Sequence, residues 1–180
     1  MNGHHFGPLR AVTRHRRRLL AHRGTGPRGG DPAGQSCTAA SQCYAGVGAD
    51  GGTSEGGADG GNSSGILGTV TCLTKVTNGY CTHTCTQDSD CCAVPGECRT
   101  GVKEVCSPFE NQGLKYCFLS CEDDDIERAI TANADAGYYD GGAADGGVAD
   151  TFCQSFAGTS TSCRSSGGGA QNRKVCIPKE

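Results

Sequence analysis

Cysteine is the residue type in this chain that is dense enough to do chemistry. Fourteen cysteines occur in 180 residues, and nine of them fall between Cys72 and Cys121. Thiols at that density can form disulfides, ligate a metal as thiolates or act as redox nucleophiles, and spacing separates the three. No Cys-x-x-Cys occurs, which removes the usual thiol-oxidoreductase and haem-attachment motifs. Cys81-Thr-His83-Thr-Cys85 offers three ligand atoms. A structural zinc site, however, shows two close cysteine pairs with two to four residues inside each, so disulfides are the better assignment. The even count predicts seven bridges among Cys37, Cys43, Cys72, Cys81, Cys85, Cys91, Cys92, Cys98, Cys106, Cys117, Cys121, Cys153, Cys163 and Cys176. No metal and no cofactor is expected.

The elements that must position these sulfurs are announced by a repeat. Cys37-Thr-Ala-Ala-Ser-Gln-Cys43 matches Cys85-Thr-Gln-Asp-Ser-Asp-Cys91, and Tyr80-Cys81, three residues, Cys85 parallels Tyr116-Cys117, three residues, Cys121. Three units follow: 37–84 with a Gly-rich insertion at 45–68, 85–120, and 121–180 with an Asp/Gly-rich insertion at 135–150. They hold cysteines 37, 43, 72 and 81; then 85, 91, 92, 98, 106 and 117; then 121, 153, 163 and 176. In the third unit Glu127 stands where the second cysteine of the spacing belongs, and Cys153 is its replacement beyond the insertion. The expected fold is a small disulfide-rich one: tandem irregular modules of short strands and turns, with little regular secondary structure and flexible Gly/Asp-rich loops. Asn78-Gly79 and Pro95-Gly96 are predicted turns. A short helix is predicted over 124–133, with acids at its start and Ile126, Ala129 and Ile130 on one face.

Composition agrees with stapling. Only 35% of residues are hydrophobic, thirty are glycine and none is tryptophan, so a large core is not expected and covalent links must help offset chain entropy. No apolar run is long enough to span a bilayer. The net charge of −3 hides a basic segment over 1–36, with seven arginines and one acid, and an acidic body. That arm reads as disordered. It lacks interleaved aromatics for base stacking, and a disulfide-rich chain seldom meets nucleic acid, so no nucleic-acid partner is expected. Leu19-Leu20-Ala21 is too short for the apolar region of an export signal. The arm is therefore read as a wrongly assigned start. Cysteine usage places the protein outside the cell or in the envelope, with a lipid anchor open if the true start differs.

At Cys85-Thr-Gln-Asp88-Ser-Asp90-Cys91-Cys92, with Cys98 six residues on, the chain resembles the Dickkopf amino-terminal cysteine-rich region and the whey-acidic-protein four-disulfide core. The adjacent Cys91-Cys92 pair is similar to that of knottins. In texture the chain looks like bacterial cell-surface lipoproteins with Asp/Ala/Gly stretches and tandem cysteine spacings. The resemblance implies an exported, disulfide-bonded protein and carries no signalling role.

Other residues offer less. Asp88 and Asp90 are expected to accept backbone hydrogen bonds in a turn. Asp135, Asp140, Asp145 and Asp150 could face calcium, but their spacing fits neither an EF-hand nor a glycine-rich nonapeptide repeat, and a solvated linker is the reading taken. With no placed nucleophile and base and no phosphate loop, no enzyme is expected. Two functions remain. One is a structural or binding module presenting Phe109, Tyr116 and Phe118 to an unknown protein or cell-surface ligand. The other is a protease inhibitor whose Cys98–Cys106 loop offers Arg99 or Lys103 to a protease specificity pocket.

Overall fold

The computed structural model describes residues 31–47, 65–110, 113–132, 147–158 and 160–178. Most of the basic arm and of both insertions lies outside these residues. The fold is small, disulfide-rich and mostly irregular, built on three antiparallel hairpins. Strands β1 (Val70–Cys72) and β2 (Cys81–His83) form the first, β3 (Glu104–Pro108) and β4 (Lys115–Leu119) the second, and β5 (Thr161–Ser165) and β6 (Lys174–Pro178) the third. Helices α1 (Asp123–Ala132) and α2 (Val148–Ala157) lie between the second and third hairpins.

One rule organises the sulfurs. Each hairpin sets two cysteines directly opposite each other in register: Cys72 and Cys81, Cys106 and Cys117, Cys163 and Cys176. None of these neighbours bond to each other. Each reaches back to the segment before its hairpin, in the order first to first and second to second: Cys37–Cys72 and Cys43–Cys81, Cys85–Cys106 and Cys91–Cys117, Cys121–Cys163 and Cys153–Cys176. The backward cysteines of the first two units flank short 3-10 turns at Ala40–Gln42 and Asp88–Asp90. In the third unit helices replace the turn, and Cys153 on α2 fills the role that the Cys-x5-Cys spacing gives to Cys43 and Cys91. The seventh bridge, Cys92–Cys98, stands outside the rule.

Successive hairpins also join by their edges. Thr84, just past β2, bridges to Tyr116 of β4, and Ser120, just past β4, bridges to Val175 of β6. The next residue repeats the bond each time: the Cys85 N–H donates to the Lys115 carbonyl at 3.1 Å, and the Cys121 N–H to the Lys174 carbonyl at 3.0 Å.

The units share a core. Leu73 and Tyr80 of the first, Val105, Phe109, Tyr116 and Phe118 of the second, and Val175 and Ile177 of the third form one aromatic-rich cluster. The expectation that Phe109, Tyr116 and Phe118 face a partner is therefore corrected: all three are buried, because the chain has too few large apolar groups to leave its aromatics outside. A second cluster packs Val102, Leu119, Ile126, Ala129, Phe152 and Phe156 under the two helices.

α1 forms where it was predicted, and its acidic first turn suits the helix dipole. α2 begins at Val148, inside the stretch expected to be a loop up to Asp150; its Asp150 carboxylate accepts the Cys163 N–H at 2.8 Å and ties the helix to β5. The arm boundary also moves. Asp31, Ala33 and Gly34 are buried, since Gly34 N–H donates to the Cys81 carbonyl at 3.0 Å and Cys81 N–H to the Gln35 carbonyl at 2.8 Å. At the inner edges of the Gly-rich insertion, Val47 is buried and Ile66 packs against the Cys37–Cys43 cluster.

Both predicted turns form. Val94-Pro95-Gly96-Glu97 closes with Glu97 N–H on the Val94 carbonyl at 3.2 Å and Gly96 at φ 84°, the type II pattern of proline then glycine. Gly79, at φ 68°, sits where a Cβ would lie 2.0 Å from the Cys37 carbonyl oxygen, so only glycine lets the hairpin loop meet the Cys37–Cys72 bridge.

Candidate functional site

The Cys98–Cys106 loop is held at its ends by two different bridges, Cys92–Cys98 and Cys85–Cys106. Between them Arg99, Gly101 and Lys103 are exposed, whereas Val102, Glu104 and Val105 are buried. The Arg99 Nε donates to the Gly96 carbonyl at 2.8 Å. Thr100 is anchored from below, its N–H on Asp31 Oδ1 at 2.9 Å and its hydroxyl on Asp31 Oδ2. Lys103 lies 3.6 Å from Asp125. Asp125 also holds Arg128 and accepts the Ser120 hydroxyl at 2.5 Å. Burial alone would raise the Asp125 carboxyl, but Ser120, Lys103 and Arg128 outweigh it and hold it below the ordinary carboxylate range. Both basic residues of the loop are thus exposed, Arg99 held by the Gly96 carbonyl and Lys103 paired with Asp125.

A cleft of about 860 Å³ opens between the segment 34–38, the tip of the first hairpin and the end of α2, with Asp31 in its wall. Its lining mixes apolar surface from Phe156, Ala157 and Pro178 with hydroxyl and amide groups, among them Gln35, Thr38, Gln42, Thr77, Asn78 and Ser160. The Cys37 N–H donates to the Asn78 carbonyl at 3.0 Å, so the Cys37–Cys72 bridge and the hairpin tip are one rigid wall.

Beneath the 94–104 segment lies a group of buried ionisable residues. His83 of β2 and Glu97 of the type II turn have no exposed side-chain surface, and His83 Nε2 lies 2.6 Å from Glu97 Oε1. His83 Nδ1 faces two carbonyl oxygens, of Leu67 at 2.7 Å and Thr84 at 3.1 Å. Carbonyls only accept, so Nδ1 is the donor to them and Nε2 faces the Glu97 carboxyl. Glu104 of β3 is equally buried, yet neither of its carboxyl oxygens has a hydrogen-bond partner. Burial first, and the neighbouring Asp31 and Glu97 second, push the Glu104 carboxyl well above the ordinary carboxylate range. A Glu104 oxygen lies within 4.8 Å of both sulfurs of the Cys92–Cys98 bridge, and an oxygen of the same carboxyl lies within 4.8 Å of a His83 ring nitrogen and of the Cys117 sulfur.

The metal reading of Cys81, His83 and Cys85 finds no thiolate. Cys81 is bonded to Cys43, Cys85 to Cys106, and His83 is engaged by Glu97 and two carbonyls. Asp90 acts in the turn as expected, its Oδ2 accepting the Thr86 N–H at 2.8 Å, whereas Asp88 reaches out of the turn, its Oδ1 accepting the Cys106 N–H of β3 at 3.0 Å. Of the four aspartates weighed for calcium, Asp150 binds the Cys163 N–H and the others lie outside the described residues. The His83, Glu97 and Glu104 group escaped the sequence reading. Its members are scattered along the chain, and the available signal was that Thr82 and His83 continue a strand between two cysteines.

Fold and site together define a small disulfide-rich protein with no free cysteine. No family model, curated protein or solved structure matches it.

Proposed function

We propose that this chain is a disulfide-stapled structural or binding protein that works outside the cytoplasm and engages a protein or cell-surface ligand through the cleft between its first and third hairpins. The observation that carries this reading is the construction of the cleft: hydrogen-bonding side chains stand on backbone already fixed by the Cys37–Cys72 bridge. A covalently braced surface loses little freedom when it binds. The pairing of all fourteen cysteines supports an oxidising compartment, and no helix among the described residues is long and apolar enough to cross a membrane. The test is binding of the purified, oxidised chain to envelopes of the cells that produce it. Retention that is lost in a Gln42→Lys, Asn78→Lys double variant supports the cleft, and retention equal in both chains overturns it.

The alternative, a protease inhibitor, is favoured by the exposure of Arg99 beside a bridged cysteine. Stoichiometric inhibition of trypsin that disappears in Arg99→Ala would establish it in place of the cleft reading. Lys103→Ala tests the other exposed basic residue of the loop, which lies 3.6 Å from Asp125.

A further inference from the structure

We propose that Cys92–Cys98 is a thiol–disulfide exchange site, open to small thiols and dithiols, with Glu104 placed behind it as the acid that protonates the departing sulfur. Three independent observations lead there. The bridge lies outside the repeated hairpin rule and joins residues only six apart, whereas the other six bridges span 21 to 42 residues. Opening it releases the shortest loop and removes the least constraint from the unfolded chain. Cys92 is the one exposed cysteine of the fourteen, and Cys98 is half-buried. Finally, the buried Glu104 carboxyl, without a hydrogen-bond partner, lies within 4.8 Å of both sulfurs. A buried acid with no partner is a costly arrangement for a fold to keep. A nearby sulfur that becomes charged during exchange gives it a use.

The chemistry balances with an external thiol as reductant. Its thiolate attacks the accessible Cys92 Sγ, forming a mixed disulfide as the Cys92–Cys98 bond breaks. The bonding pair leaves on Cys98 Sγ, which takes the Glu104 proton. A second external thiolate attacks the thiol's own sulfur in the mixed disulfide, releasing the oxidised external disulfide and the Cys92 thiolate. Cys92 and Glu104 then each take a proton from water. Two external thiols are oxidised to one disulfide, and the bridge is reduced to a dithiol. The groups that surround Glu104 are Asp31 of the N-terminal segment, Glu97 of the turn, His83 of β2, and Tyr44 and Tyr80. The acids among them favour the neutral carboxyl that the step requires.

The experiment is timed exposure of the oxidised full chain to glutathione, followed by alkylation and peptide mapping across a range of pH. Cys92 and Cys98 are expected to label together, at least about tenfold faster than any other pair, while the near-ultraviolet dichroism of the buried aromatics persists. The rate per glutathione thiolate should fall as pH rises through the titration of Glu104. In Glu104→Gln it should be about tenfold lower or less and independent of pH. Another pair labelling first, all bridges opening together, or a variant with the wild-type rate and pH profile would overturn the assignment. Should Glu104→Gln fail to fold, Glu104→Met serves the same comparison, and the order of labelling in the wild type decides by itself.

Discussion

His83 and Glu97 meet at 2.6 Å across a space that no solvent reaches, one from a strand and the other from a proline-glycine turn. The contact pins the 94–97 turn onto the first hairpin. Removing one partner strands the other, so Glu97→Ala should lower stability by about 3 kcal/mol or more, as should His83→Ala. Replacing both together, as in His83→Phe with Glu97→Leu, should cost less than either single change. Thermal unfolding of the three variants and the double-mutant cycle measures this.

Glu104 sets a pH dependence of unusual sign for a carboxylate. Its folded pKa is raised, so between the ordinary carboxylate value and that raised value the folded chain holds a proton that the unfolded chain has lost. Stability from this group is full below the ordinary value and declines as pH climbs, by up to about 1.4 kcal/mol per pH unit. Asp31, raised mainly by burial, acts in the same direction. Unfolding by guanidinium with bridges intact, followed from pH 5 to pH 8, should show the decline. Glu104→Gln should flatten it. Asp125 has the opposite sign: its contribution is present at neutral pH and disappears as acid titrates it below the ordinary range.

Phe118 touches Tyr80, Phe109 and Tyr116 at the centre of the shared cluster, with ring centroids 5.3, 5.7 and 6.5 Å away. Phe118→Ala should lower stability by about 3–5 kcal/mol. Hydrogen exchange should rise in all three hairpins. Phe152→Ala, in the cluster beneath the helices, should raise exchange mainly in α1, α2 and the third hairpin. Exchange confined to the second hairpin in Phe118→Ala would show that the units are energetically separate.

Gly79→Ala places a methyl group against the Cys37 carbonyl at a backbone angle that alanine adopts poorly. A loss of about 1–3 kcal/mol is expected, together with a lower yield of the Cys37–Cys72 bridge on oxidative refolding. Gly101→Ala, with no atom near its added methyl, controls for the backbone angle alone.

The cysteine groups were legible because spacing repeats are covalent logic written in order along the chain. Every bridge in the structure closes inside one of the three groups that the repeat defines. α1 was legible through its acids and its Ile126 and Ala129 face. The first turn of α2 was hidden by the Asp/Gly stretch that leads into it, although Phe152 and Phe156 stand at the one-turn spacing of a buried helix face. The aromatic cluster was misjudged for a reason of scale. In a chain so poor in large apolar groups, the few it has are needed inside, and alternation along β3 and β4 does not say that a third hairpin covers them. The buried acids could not be read at all, because burial of Glu97 and Glu104 depends on contacts far away in sequence.

The opposed cysteines of each hairpin have a consequence for how the chain matures. A hairpin forms in about microseconds, while disulfides form and reshuffle over about seconds to hours, so Cys106 and Cys117 face each other long before Cys85 and Cys91 arrive. The nearest partner is then the wrong one, and the same trap is set twice more, at Cys72 with Cys81 and at Cys163 with Cys176. Oxidation alone would favour these local cross-links and leave the backward cysteines stranded. Reaching the native connectivity requires shuffling, so the protein's yield depends on the isomerising power of the compartment that receives it.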